Sequence, residues 1–224
     1  MSERMFCYQC EQTANGKGCT QIGVCGKSPE VAALQDLLIY SLKGLSQVAL
    51  EARKREITDE KADIFTCKAL FATLTNVNFD PDRVIELINE TVQLRDSLRR
   101  KVEAAGGTIK SAGPVSFMPK DSVSDLVEQG RLVGIKSDPT LDPDIHSLQW
   151  ILTYGIKGVA AYADHAYILG QKDTKVFAFI QPVLELLQQR TRKQVRKGGA
   201  HLPMPVVARM MVLRQHPLCD FVVP

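Results

Sequence analysis

The chain has 224 residues, 45% of them hydrophobic and 24% charged, enough for one large domain or two small ones whose core needs no disulfide staples. Lys and Arg number 28 against 25 Asp and Glu, and the pI is near 8.5. This composition excludes wholesale disorder, and so small a surplus predicts no obligatory polyanion partner. The informative count is six cysteines, four of them within the first 25 residues.

Residues 1–27 hold those four, Cys7, Cys10, Cys19 and Cys25, in a loop punctuated by Gly16, Gly18, Gly23 and Gly26. Helical character follows over 28–190. Ser28-Pro29-Glu30 supplies an N-cap, a proline at the first helical position and an acidic first turn. Leu34, Leu37, Leu38, Ser41, Leu45 and Val48 then recur at helical spacing to about Arg53. A second helix is expected from Thr58, with Asp59 and Glu60 at its positive end and Ala62, Phe65, Ala69 and Leu70 inward. A third starts at Asp80-Pro81, carries Val84, Leu87, Ile88, Leu94 and Leu98, and stops at Gly106-Gly107. These three helices are expected to form one bundle.

Residues 107–143, richer in Gly, Pro, Ser and Asp, read as a connector with short helices at most. Asp142-Pro143-Asp144 opens a further helix carrying Ile145, Leu148, Ile151, Leu152, Ile156 and Val159. Another covers roughly 174–189, where Pro182 should kink it or start a new turn. No useful strand-like alternation is present. The predicted fold is all-α, two three-helix bundles side by side preceded by a Cys-rich cluster-binding loop.

Residues 191–224 form a basic, Pro-containing tail predicted to be irregular. No Asp or Glu occurs between Glu185 and Asp220, while Arg190, Arg192, Lys193, Arg196, Lys197, Arg209 and Arg214 accumulate. Without interleaved aromatics, this reads as a solvated or foreign tail and not as a nucleic-acid arm.

Residues 1–15 contain Glu3, Arg4 and Glu11 and no signal-like apolar run, and no window approaches the roughly 18 apolar residues of a membrane span. The expectation is a cytoplasmic protein without a membrane partner. In a reducing cytosol, clustered cysteines are metal ligands or redox groups more often than disulfides.

The four cysteines follow C-x2-C-x8-C-x5-C. A C-x2-C pair brings two thiolates from one tight loop to one centre, and nearby glycines let backbone N–H groups turn towards sulfur. Four thiolates suit a [4Fe–4S] or a [2Fe–2S] cluster. An all-cysteine zinc site needs the same number, though ribbon-type sites use two close C-x2-C pairs. A redox C-x2-C would use only two and normally sits by a βαβ unit.

Met5-Phe6-Cys7-Tyr8-Gln9-Cys10-Glu11-Gln12-Thr13, Gly18-Cys19, Gly23-Val24-Cys25-Gly26-Lys27 and Leu34-Gln35-Asp36-Leu37-Leu38-Ile39 resemble the start of the hybrid-cluster protein (prismane) family, also called hydroxylamine reductase. The stretch from Tyr154-Gly155-Ile156-Lys157-Gly158 to His165-Ala166 resembles the same family, so the likeness covers residues 5 to about 187. It implies a cytoplasmic oxidoreductase that reduces hydroxylamine to ammonia, with nitric oxide a further substrate, and that takes electrons from a redox donor protein. It also implies two clusters, one receiving electrons and a hybrid Fe–S–O cluster binding substrate. Cys7, Cys10, Cys19 and Cys25 match the ligands of the first cluster, and their spacing resembles the subgroup with a [4Fe–4S] cubane.

The resemblance places the hybrid-cluster ligands in downstream domains. Of the other cysteines, Cys67 lies in a predicted helix as a buried thiol, and Cys219 sits in the tail. His165 is expected as a packed helix histidine, and His146, His201 and His216 show no metal-ligand spacing. The chain is therefore expected to be a truncated member holding the electron-receiving cluster, with a non-catalytic electron-transfer module as the alternative to an enzyme.

Overall fold

The computed structural model describes residues 4–134 and 140–188. Among these residues the regular structure is helical throughout, six α-helices with two short 3-10 turns, as the all-α reading expects. The tail at 191–224, with Cys219, His201 and His216, lies outside the described residues.

Helix α1 (Pro29–Arg53) begins where the Ser28 hydroxyl accepts the Val31 N–H at 3.1 Å. It is the axis of the domain: Leu34, Leu37, Leu38, Leu42, Leu45 and Val48 are wholly buried, because other helices surround it. Aspartates cap most of the others. Asp59 starts α2 (Glu60–Ala72) and Asp80 starts α3 (Pro81–Ala104). Asp142 starts α5 (Pro143–Ile168) and Asp173 starts α6 (Thr174–Leu186). Each carboxylate accepts first-turn N–H groups that have no partner inside the helix. The end of α3 falls at the expected glycines, where the Gly107 N–H reaches the Val102 carbonyl at 2.8 Å.

The helices form two groups of three with one continuous apolar core, but the groups are not consecutive in sequence. Helices α3 and α4 (Val123–Val133) lie on α1, while α2 crosses over to pack with α5 and α6. Helix α6 also lies on α1 and joins the groups. The expected α1–α2–α3 bundle is thus replaced by α1–α3–α4, since α2 has apolar positions on more than one side and contacts both groups.

Helix α4 is the one long element inside the expected connector. Its buried face is only Leu126, Val127 and Gly130, too short a stripe to stand out by periodicity. Close approach compensates: a Cβ on Gly130 would lie 2.1 Å from the Ala33 carbonyl oxygen, so α4 touches the α1 backbone directly. Helix α6 runs unbroken through Pro182, its segment held by buried Phe177, Ile180, Val183 and Leu184.

Helix α5 departs further from expectation. Leu148 and Ile151, both on its apolar repeat, are 57% and 70% exposed, whereas Thr153, Lys157 and Asp164 face inward. No described helix is long and apolar enough to cross a membrane.

Candidate metal centre

The cysteine loop docks on the first turns of α1 through a small apolar cluster of its own, where Met5 and Cys19 pack on Ala32 with Cys7 and Ala14 at the edge. Cys7 and Cys19 form an antiparallel pair: the Cys7 N–H donates to the Cys19 carbonyl at 3.0 Å and the Cys19 N–H returns the bond at 2.9 Å. Such a hydrogen-bonded pair sends both side chains to the same side of the ribbon. Gly18 allows it, with φ of +144° and the Phe6 ring occupying the space a side chain would need.

Sulfur is solvated by backbone. The Ala14 N–H points at the Cys19 Sγ at 3.5 Å, and the Thr13 hydroxyl lies 3.8 Å from the same sulfur while donating to the Cys7 carbonyl at 3.0 Å. Burial pushes the Cys19 thiol up, but the Ala14 and Val24 amides, the Thr13 hydroxyl and the Lys27 charge together hold it below the usual cysteine range. Cys10 joins through its carbonyl, which accepts the Thr13 N–H at 3.1 Å. Cys25 sits in a turn closed by the Gly26 N–H to the Gly23 carbonyl at 2.8 Å, and a Cβ on Gly23 would come within 3.1 Å of its sulfur.

The five described cysteines are free thiols. Cys67 is buried in α2, where burial first and then the negative Asp164 and Asp63 push its thiol up to about 12, so it is inert, as expected. His165 is exposed, its ring edge-on to Phe71 at 5.0 Å, and not packed in the core.

The lowered Cys19 thiol, the Ala14 N–H aimed at its sulfur and the glycine-rich wrap suit an anionic thiolate cluster. Among the described residues, no three His, Cys, Asp or Glu side chains are grouped so as to hold one metal ion. Ligands of a single zinc must all reach one point. In a four-iron cluster each thiolate binds its own iron, so the thiolates stand farther apart. The surroundings of the Cys19 sulfur fit an anionic thiolate ligand.

Around the loop the structure places a second set of residues to which motif reading assigned no role. Gln9, between Cys7 and Cys10, accepts from the Lys157 ammonium at 2.7 Å and donates to the Thr75 hydroxyl at 2.7 Å. Lys27 donates to the Gln35 side-chain oxygen at 2.6 Å, and Gln35 donates on to the Asn78 carbonyl at 2.9 Å. The only tryptophan, Trp150 of α5, packs against Phe6 and Tyr8 with ring centroids 5.1 and 5.9 Å away, and against His146 at 4.6 Å. Lys157 carried one available signal: with Thr153, Ala160, Ala161 and Asp164 it recurs at the spacing of a buried helix face.

Fold and site together define an all-helical domain that carries a four-cysteine loop on its central helix. The chain belongs to the Prismane/CO dehydrogenase family, whose model matches residues 5–216. That match takes in most of the basic stretch beyond Arg190, so the family likeness extends past the residues 5–187 over which motifs are recognisable. A protein of Syntrophobacter fumaroxidans named hydroxylamine reductase is 55% identical over 195 residues, covering 87% of this chain and 35% of that protein. Its namesake from Methanocella arvoryzae is 59% identical over 178 residues, 79% of this chain and 33% of the relative. The chain therefore spans about a third of the length of these relatives.

Proposed function

We propose that this chain is the electron-receiving part of a hydroxylamine-reductase-type oxidoreductase, with Cys7, Cys10, Cys19 and Cys25 holding a [4Fe–4S] cluster. The observation that carries this reading is the environment of Cys19, whose sulfur is met by the Ala14 N–H and the Thr13 hydroxyl in a loop of free thiols, within a chain of this family. The cluster supplies one-electron transfer when bound.

The residues around it do the rest. Thr13 ties Cys7 to Cys19, Ala14 and Val24 offset negative charge on sulfur, and Met5 and Ala32 keep water from the inner side of the loop. A redox donor protein delivers electrons, and the reaction served is hydroxylamine plus two electrons and two protons to ammonia and water, with nitric oxide a further substrate. The free thiols favour a reducing compartment, the cytoplasm. On this reading the substrate-binding hybrid Fe–S–O cluster would be held by the part of a hydroxylamine-reductase-type protein that this chain does not span.

A second reading has its own support. A non-catalytic iron–sulfur electron-transfer module would use the same four thiols, and the one further described cysteine, Cys67, is buried and inert. Metal analysis of the anaerobically purified chain tests both: about four irons per chain with a visible band bleached by dithionite is expected, whereas stoichiometric zinc overturns both. Cys→Ser at any of the four positions should abolish the band. Hydroxylamine-dependent oxidation of reduced methyl viologen by the chain alone, absent in those variants, selects the enzyme over the module.

A further inference from the structure

Two lysines lie buried at the cysteine loop, and among the described residues the hydrogen-bond acceptors of both are neutral. Lys157 is 4% exposed, and its ammonium donates to the Gln9 side-chain oxygen at 2.7 Å and the Thr73 carbonyl at 3.3 Å, with the Tyr154 ring 5.8 Å away. Lys27, also 4% exposed, donates to Gln35 and lies 5.8 Å from the Phe79 ring. An ammonium out of water without an opposing charge is strongly disfavoured, and a second of like sign nearby adds to the cost. Through space, Lys27 opposes Lys157, while Asp36 and Cys7 favour its charge; Asp36 also favours the charge of Lys43. Asp36 thus serves both Lys157 and Lys43, and Cys7 of the cysteine loop is the other group that favours the Lys157 charge.

Gln9 makes the connection mechanical as well as electrostatic. Lysine offers donors only, so its contact fixes the Gln9 oxygen towards α5 and turns the amide nitrogen to the Thr75 hydroxyl and the Thr73 carbonyl. That side chain belongs to the two-residue turn between Cys7 and Cys10. Lys157, 148 positions away, thereby holds the turn that carries two thiols.

We propose that Lys157 is a positioning residue and the resident counter-charge of the group held by the four cysteines, raising its reduction potential. The inference rests on the cluster reading above. Four thiolates around a [4Fe–4S] core leave a net negative charge, and reduction adds one electron and one further unit of it. A fixed buried cation therefore favours the reduced form over the oxidised one.

The test is an EPR-monitored redox titration of the full 224-residue chain, loaded anaerobically with iron and sulfide, for wild type and Lys157→Met, Lys157→Gln and Lys157→Arg. Iron content of the wild type is read first; a chain that takes up no iron fails the cluster reading, and this inference with it. With iron bound, both neutral variants should show a reduced-to-oxidised ratio at least tenfold lower at fixed potential, a shift of about 59 mV to the negative for a one-electron couple, and the arginine variant should stay near wild type. A purely structural lysine would move the melting temperature and leave the midpoint in place, and that result overturns the proposal. Should the neutral variants fail to retain iron, retention by the arginine variant supports a required charge, and loss from all three overturns it.

Discussion

Thr13 bridges the two paired cysteines: its hydroxyl donates to the Cys7 carbonyl at 3.0 Å and stands 3.8 Å from the Cys19 sulfur. One short side chain thus links the backbone of one thiol to the charge of the other. Thr13→Val keeps the shape and removes the hydroxyl. The Cys19 thiol should then rise towards its ordinary value, because one of the groups holding it down is gone. Alkylation of the apo chain by iodoacetamide near neutral pH, resolved by peptide mapping, should slow at Cys19 and be unchanged at Cys67. An unaltered Cys19 rate would refute the role given to Thr13.

Trp150 is a built-in reporter, the single tryptophan of the chain and in ring contact with Phe6 and Tyr8 on either side of Cys7. Loading the loop with iron and sulfide should quench its fluorescence. Trp150→Leu should leave helix content intact while weakening iron retention, since the tilted aromatic contacts of about 0.5–1.5 kcal/mol each that hold the loop on α5 are lost. Circular dichroism and iron release to a chelator check the two halves separately.

Gly130→Ala should destabilise the fold by about 1–3 kcal/mol, the usual range for overpacking. Its new methyl would meet the Ala33 carbonyl at 2.1 Å, and that neighbour is backbone of the central helix, which cannot swing aside. Urea unfolding followed by circular dichroism measures the loss. The same exchange at Gly158, where nothing lies within 4 Å of the added carbon, should be neutral or slightly stabilising.

Lys157 also gives the apo chain a pH signature. Burial first, then the like charge of Lys27, push its ammonium down to about 7, against the opposing pull of Asp36 and Cys7. The unfolded chain keeps the ordinary lysine value of 10.5, so between about 7 and 10.5 it binds more protons than the folded one. Stability of the apo protein should therefore rise with pH across that window and level off above it. Urea midpoints at pH 6.5, 8 and 9.5 should climb more steeply in wild type than in Lys157→Met; parallel slopes would remove Lys157 as the source.

Local signals carried much of the architecture. Caps such as Ser28, Asp59, Asp80 and Asp142 act on N–H groups within three residues, so helix starts are written beside the helices they begin. The four-cysteine spacing is equally local, a pattern readable within the first 25 residues. Helix α4 escaped because its packing depends on an absent Cβ at Gly130 and on the α1 backbone opposite, neither visible as hydrophobic periodicity.

The sequence by itself therefore determined the helical class and most helix boundaries, because each depends on residues a few positions apart. Tertiary structure alone decided that α2 leaves its neighbours to join α5 and α6, and that Leu148 and Ile151 stay outside while Lys157 goes in. It alone brought Lys157 to Gln9 across 148 residues. The physical reason is that an amphipathic repeat says a face will be covered but not by what. A buried lysine becomes intelligible only when the groups around its charge are in view.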